Sequence, residues 1–69
     1  MDNIRFGSFV AQLRKERGLT QKELAQRLHV TDKAVSKWET GASDPSTSNL
    51  LTLAKLFNTT AEELLREVQ

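Results

Sequence analysis

The chain has 69 residues and a formal net charge of +1, with 38% hydrophobic and 28% charged residues, which leaves room for one small core and predicts a single domain over residues 1–69. The absence of cysteine excludes disulfides and cysteine-ligated zinc and fits a cytoplasmic protein. No apolar run is longer than three residues, so no membrane-spanning helix is expected.

Apolar residues recur at the spacing of amphipathic helices, and no segment alternates as a strand would. The first predicted helix carries Phe6 and Val10 on one stripe and ends before Gly18. An all-α fold of five short helices around one core is therefore predicted. The predicted helices cover about residues 5–17, 21–28, 32–40, 46–57 and 61–68.

Helices 2 and 3 follow one another with almost no linker. Thr20 and Glu23 form a capping box at the start of helix 2, and Thr31 caps helix 3, which ends at Gly41. Only residues 28–30 separate helix 2 from the Thr31 cap. A turn this short favours two helices that cross at a large angle. The pattern predicts a helix-turn-helix unit.

Helices 4 and 5 are predicted from weaker signals. Pro45 and Ser46 lie at the start of helix 4, and Asn58 can take the left-handed position at its end. A second capping box, formed by Thr60 and Glu63, predicts the start of helix 5.

Helix 3 has two contrasting faces when its residues are placed about 100° apart. Val35 and Trp38 define the buried side, whereas Lys33 and Lys37 lie opposite, with Thr40 and Ser36 beside them. Trp38 could stack on a base, but its spacing from Val35 favours the core. Residues 1–41 have a net charge of +3 and residues 42–69 a net charge of −2. A donor-rich, basic helix face suits the acceptors of guanine in the DNA major groove.

The first residues of helix 2 provide a second element. Thr20 and Gln21 present free backbone N–H groups and a side-chain amide at the positive end of a helix dipole. Such a helix start can bind a phosphate, which would place helix 3 in register on a duplex.

The motifs GLTQKELA (18–25) and AVSKWETG (34–41) resemble those of Cro/cI-type helix-turn-helix domains, also called XRE-like regulators. The resemblance covers about residues 4–65. It implies a five-helix, lambda-repressor-like domain that binds operator DNA, usually as a two-fold homodimer on a palindromic site.

The resemblance also implies roles for individual residues. Base edges would be contacted by Asp32, Lys33 and Lys37. The DNA backbone would be contacted by Thr20, Gln21, Ser36, Thr40, Gly41 and Ser43. Arg14 and Glu39 match a structural pair that ties helix 1 to the end of helix 3.

Several positions depart from the family pattern, among them His29, Asp32, Thr47, Thr59 and Ala61. His29 replaces the glycine usual in the turn, where histidine can adopt the left-handed conformation at some strain. With no cysteine and no second histidine in the chain, it is a turn residue rather than a metal ligand. Asp32 is unusual for a protein that meets DNA. It can accept from a cytosine amino group, pair with Lys33, or favour the helix N-terminus.

Apolar residues off the main stripes of helices 4 and 5 leave two readings open. They form a dimer seam, or they are scattered exposed residues that need no explanation. The residues are Leu51, Leu56, Leu65 and Val68.

The sequence favours a DNA-binding regulator, most simply a repressor, over two other classes of protein. One alternative is a protein-interaction module of the same fold, such as an antitoxin-like protein, because fold does not fix function. The other is an enzyme, for which no catalytic constellation, glycine-rich phosphate loop or metal cluster is present. No cofactor, metal or membrane partner is predicted.

Overall fold

The computed structural model describes residues 3–59 together with residues 64 and 66. This part of the chain is helical and contains no strand. Its helices are α1 (Asn3–Glu16), α2 (Gln21–Leu28), α3 (Asp32–Thr40) and α4 (Thr47–Leu56). Among the described residues, no helix has the length and apolar character needed to cross a membrane.

The predicted count of five helices is wrong, since the described residues form four. The prediction for residues 61–68 rested on the capping pattern of Thr60 and Glu63, which lie outside the described residues. Of that segment only Leu64 and Arg66 are described, the first buried and the second exposed. Both residues are helical, although no fifth helix is delimited among the described residues.

The starts of α2, α3 and α4 are each capped by a hydroxyl side chain. Thr20 Oγ1 accepts from the backbone N–H of Glu23 at 3.0 Å, and the Glu23 carboxylate accepts from the backbone N–H of Thr20 at 2.9 Å. Thr31 and Ser46 each accept from the backbone N–H three residues on, at 3.1 Å. These bonds satisfy backbone donors that a helix start would otherwise leave unpaired.

Left-handed residues end α2 and α3. His29 has φ 57° and ψ 41°, and Gly41 has φ 82°. The left-handed conformation expected of His29 is therefore confirmed at the turn between α2 and α3. The His29 backbone N–H donates to the carbonyl oxygens of Ala25 and Gln26, and α2 ends at the preceding residue.

The core lies where α3 packs against α1 and α2, and α2 also contacts α4. Trp38 is only 4% exposed, so it belongs to the core as its spacing predicted. The other buried apolar residues are Phe6, Val10, Leu24, Ala25, Leu28, Val35, Leu53, Ala54, Phe57 and Leu64.

Arg17, just beyond α1, connects the end of that helix to the end of α4. Its guanidinium donates to the Phe57 carbonyl oxygen at 2.5 Å, and its central carbon lies 5.0 Å from the centroid of the Phe57 ring. The charge thus stacks on the face of a buried aromatic side chain while the arginine itself stays exposed.

Gly7 is the point of closest approach between α1 and α3. A Cβ atom at this position would lie 2.2 Å from the Trp38 carbonyl oxygen and 2.7 Å from that of Glu39. Both are backbone atoms near the end of α3, which cannot move aside as a flexible side chain could. A side chain at residue 7 would therefore push the two helices apart.

We expect Gly7→Ala to destabilise the fold by about 1–3 kcal/mol, because overpacking of backbone against backbone outweighs the gain in helix propensity. Urea unfolding measures the effect. Ser8→Ala, at the exposed neighbouring position of α1, is the control and should be neutral or stabilising. A Gly7→Ala protein as stable as the wild type would contradict the close approach.

Candidate nucleic-acid interface

The outward face of α3 is exposed while its inward face is buried. Lys33 and Lys37 are both exposed, and Val35 and Trp38 on the opposite side are 0% and 4% exposed. Neither lysine is in an ion pair with any residue that the structure describes. No described carboxylate therefore occupies their ammonium groups.

Asp32 is also exposed and occupies the first position of α3, directly after the Thr31 cap. No ion pair joins it to Lys33 in the described part of the chain. The ion pair with Lys33, which was one of the three predicted roles of Asp32, is therefore not formed. Acceptance from a base amino group and a favourable position at the helix N-terminus remain.

The segment that follows α3 is held by hydrogen bonds to one carbonyl. The Lys37 carbonyl oxygen accepts from the backbone N–H of Ala42 at 2.9 Å and of Ser43 at 3.3 Å. The Thr40 hydroxyl donates to the same oxygen at 3.3 Å. Gly41, between them, is left-handed, and a Cβ there would lie 2.9 Å from Ile4 Cγ1.

Four of the predicted backbone-contact residues belong to α3 or to the segment after it, and all four are at least partly exposed. Thr40 is exposed, whereas Ser36, Gly41 and Ser43 are partly exposed.

The start of α2 shows a contact that the sequence did not predict. Thr20 is exposed, and Gln21 is partly buried. The Gln21 side-chain amide nitrogen donates to Glu39 Oε1 at 2.9 Å, which links α2 to the end of α3. The pairing follows from the crossing of the two helices, so no local sequence signal could have found it.

The predicted Arg14–Glu39 pair is formed. Arg14 Nε donates to Glu39 Oε2 at 2.7 Å, and Nη2 donates to Oε1 at 3.1 Å. A third guanidinium nitrogen, Nη1, donates to the Leu19 carbonyl oxygen at 2.7 Å. The hydrogen bonds that Arg14 donates to the Glu39 carboxylate raise the pKa of Arg14 above its usual value. Such a bidentate pair fixes the orientation of both side chains.

Burial makes this pair more than a surface salt bridge. The side chains of Arg14 and Glu39 are only 11% and 6% exposed. Removing one partner would leave the other charge largely cut off from water, which is far more costly than losing an exposed pair.

The predicted dimer seam is described only in part. Leu51 is 51% exposed, whereas Leu56 is partly buried and packs against the core. Leu65 and Val68 lie outside the described residues. A further exposed apolar residue, Ile4 at 68%, was not predicted.

No metal site is found among the described residues, where no group of three or more His, Asp or Glu side chains could hold an ion. His29, the chain's one histidine, is exposed in the turn.

Sequence comparisons identify relatives for most of the chain. A sequence profile described as helix-turn-helix matches residues 10–64. The HTH-type transcriptional activator BcrR of Enterococcus faecalis is 40% identical over 62 residues, which are 90% of this chain and 30% of BcrR. The HTH-type transcriptional regulator ImmR of Bacillus subtilis is 36% identical over 59 residues, 86% of this chain and 46% of ImmR. The chain thus spans less than half the length of these curated relatives.

Solved structures show the same fold. The P22 c2 repressor, in complex with a synthetic operator, aligns with a TM-score of 0.85 and 29% identity over 90% of this chain and 94% of that chain. The restriction-modification controller protein C.AhdI of Aeromonas hydrophila aligns with a TM-score of 0.83 and 32% identity, over 91% of this chain and 96% of its own.

Arg14→Met should lower the free energy of unfolding by about 2–4 kcal/mol, because it leaves the Glu39 carboxylate largely buried and without a cation. Chemical denaturation measures the loss. Arg17→Met, which removes an exposed guanidinium, is the matched control and should cost about 1 kcal/mol.

The double variant Arg14→Met/Glu39→Met removes both charges and should be more stable than Arg14→Met alone. A single variant that loses no more stability than the Arg17 control would contradict a buried pair.

The capping box makes part of the stability depend on pH. The pKa of the Glu23 carboxyl is lowered because it accepts a hydrogen bond from the Thr20 backbone N–H, with a further contribution from the Thr20 side chain. A group whose folded pKa lies below its unfolded pKa contributes stability above the unfolded value. That contribution is lost as the pH falls through the folded value.

We therefore expect the stability difference between wild type and Glu23→Gln to shrink as the pH is lowered from about 7 to about 3. Urea unfolding at several pH values measures it. A difference that stays constant, or widens in acid, would show that the ionised Glu23 carboxylate does not contribute.

Proposed function

Because the chain belongs to the helix-turn-helix family, of the Cro/cI (XRE-like) type, we propose that it is a transcriptional regulator that binds double-stranded DNA sequence-specifically. In this proposal residues 1–69 act as one domain and α3 lies in the major groove. The observation that carries it is the outward face of α3, where Lys33 and Lys37 are exposed and in no ion pair with a described residue.

Base contact is assigned to the first turns of α3. Lys33 and Lys37 donate to guanine O6 and N7, which are acceptors that only the major groove presents in this pattern. Asp32, acceptor-only when ionised, can accept from a cytosine amino group and would disfavour a guanine at the same position. Together the three side chains would give a preference for G·C pairs at the positions that they contact.

Phosphate contacts flank this face on both sides. On one side are the Thr20 hydroxyl, the Gln21 backbone N–H and the Gln21 amide, at the positive end of the α2 dipole. The Thr20 backbone N–H, expected to be free, is donated to the Glu23 carboxylate instead. On the other are Ser36 and the Thr40–Gly41–Ser43 segment, which the bonds to Lys37 O hold in place. Such contacts fix the register of α3 without adding sequence information.

The binding unit is proposed to be a homodimer on a palindromic operator. A monomer with two or three base contacts would bind weakly, and two-fold dimers contact half-sites about one helical turn apart. Leu51, exposed on α4, is a candidate seam residue, and Leu65 and Val68 stay candidates from sequence.

Repression is the proposed outcome, as the P22 c2 protein is a repressor, although BcrR is an activator. We further propose that the protein acts in the cytoplasm by binding alone, with no enzymatic step, metal or cofactor.

Selection from a random duplex library tests the function. The wild type should enrich a palindromic motif, and Lys33→Ala/Lys37→Ala should lose it. Lys15→Ala/Lys55→Ala removes the same number of charges from exposed sites on α1 and α4 and is the matched control, which should enrich the same motif. If Lys33→Ala/Lys37→Ala still enriched the wild-type motif, the proposed mode of binding through α3 would be contradicted. No enrichment by the wild type would favour the protein-docking alternative.

On the selected operator, Lys37→Ala should cost about 1–3 kcal/mol and relax preference at one base position, whereas Gln21→Ala should weaken binding to all sequences evenly. Fluorescence anisotropy over a salt series measures both, and log affinity should fall linearly with log salt. A Lys37→Ala loss that is equal for every sequence would reassign this lysine to the phosphate backbone.

A further inference from the structure

We propose that Glu39 is a positioning residue for DNA binding, which acts by holding the side-chain amide of Gln21 in place for a DNA phosphate. The inference rests on the proposed function and assigns to Glu39 a role beyond its pair with Arg14. In this arrangement one carboxylate connects the stability of the fold to the geometry of the phosphate site.

The Gln21 amide has a hydrogen left over after its contact with Glu39. Its nitrogen, Nε2, carries two hydrogens, and one is donated to Glu39 Oε1 at 2.9 Å. Gln21 is the first residue of α2 and is partly exposed, and its Nε2 makes no second hydrogen bond to a described residue. A phosphate there would receive this N–H together with backbone N–H groups of the same helix turn.

Glu39 is itself held rigidly enough to position another group. Two guanidinium nitrogens of Arg14 bond to its two carboxylate oxygens at 2.7 and 3.1 Å. Arg14 is fixed in turn by the Leu19 carbonyl oxygen, at 2.7 Å from Nη1. The Glu39 side chain is only 6% exposed. Gln21 therefore donates to an acceptor with little freedom of its own.

The advantage for binding is entropic. A long glutamine side chain at a helix start samples several rotamers, and fixing it when DNA arrives would reduce the affinity. An amide that is already fixed before binding avoids that loss, and the Kd is then about threefold to tenfold lower.

Charge repulsion alone and positioning predict opposite changes in DNA affinity when Glu39 is replaced. Glu39 is an anion one side chain away from the proposed phosphate site, so replacing it by a neutral residue should strengthen DNA binding by simple charge repulsion. Positioning predicts weaker binding, because the neutral side chain holds both Arg14 and Gln21 less firmly. The direction of the change thus separates the two effects.

A double-mutant cycle tests the proposal, with a mixed-sequence duplex of about 20 base pairs, since phosphate contacts do not depend on sequence. Kd is measured for the wild type, Glu39→Gln, Gln21→Ala and the double variant, each at a temperature where melting curves show it folded. We expect Glu39→Gln to weaken binding about threefold to tenfold in the wild-type background and less than about twofold in the Gln21→Ala background.

Equal losses in both backgrounds, or a gain in affinity on Glu39→Gln, would overturn positioning through Gln21 while leaving the proposed function intact. A wild type that fails to bind with the expected salt dependence would instead overturn the proposed function, and this inference with it. Gln26→Ala, an exposed glutamine on the same helix and about 140° around it, is the matched control and should bind like the wild type.

A second variant covers the case in which Glu39→Gln is unfolded. Gln21→Asn keeps the amide but shortens the side chain by one methylene, and it leaves the Arg14–Glu39 pair untouched. It should lose as much affinity as Gln21→Ala without loss of thermal stability beyond that of Gln21→Ala. Wild-type affinity for Gln21→Asn would show that the contact with Glu39 is not needed for phosphate binding.

Discussion

The Glu39 carboxylate lies where three helices meet, and the placement of the other functional residues depends on it. It accepts from Arg14 of α1 and from Gln21 of α2 while belonging to α3 itself. At the same end of α3, Gly7 lets the α1 backbone approach the Trp38 and Glu39 carbonyls directly. The end of α3 is thus held by backbone packing on one side and by a largely buried charge network on the other. A helix of only nine residues acquires a defined orientation in this way.

In that orientation, one face of α3 points into the core and the other points away from it. The side chains of Val35 and Trp38 are buried and supply packing, and those of Lys33 and Lys37 face away from the core and contribute little to it. The segment after α3 is held close to the end of that helix. Gly41 is left-handed and turns the chain, and the Lys37 carbonyl oxygen accepts hydrogen bonds from the N–H groups that follow. The proposed contacts with a duplex and the stability of the fold would therefore be carried by different atoms of one short helix.

Much of this fold could be predicted because its signals are local. The bounds of α2 and α3 agree with those expected from the Thr20 and Thr31 caps and from Gly41. α1 begins and ends slightly earlier than predicted, at Asn3 and Glu16, where no cap signal marks its start. The predicted count of five was wrong for the described residues, which form four helices, and the capping pattern behind the fifth lies outside them.

The contacts that fix the site were harder to predict. The exposed face of α3 follows from helical periodicity, and the Arg14–Glu39 pair was predicted from the family resemblance. Nothing near Gly7 in sequence shows that it meets the end of α3, and Gln21 is 18 residues from Glu39. Both contacts are products of how helices cross, which the pattern of a single helix does not encode.

The separation of roles within α3 has a consequence for how such a protein can diverge. Positions 32, 33 and 37 are exposed and neither fill the core nor join an ion pair with a described residue, so substitutions there encounter little structural constraint. A duplicated copy of the gene could acquire a new target site through a few changes on this face while the scaffold stays as stable as before. The buried framework and the exposed outward face would then evolve at different rates, even though both lie within one turn of each other along the same helix.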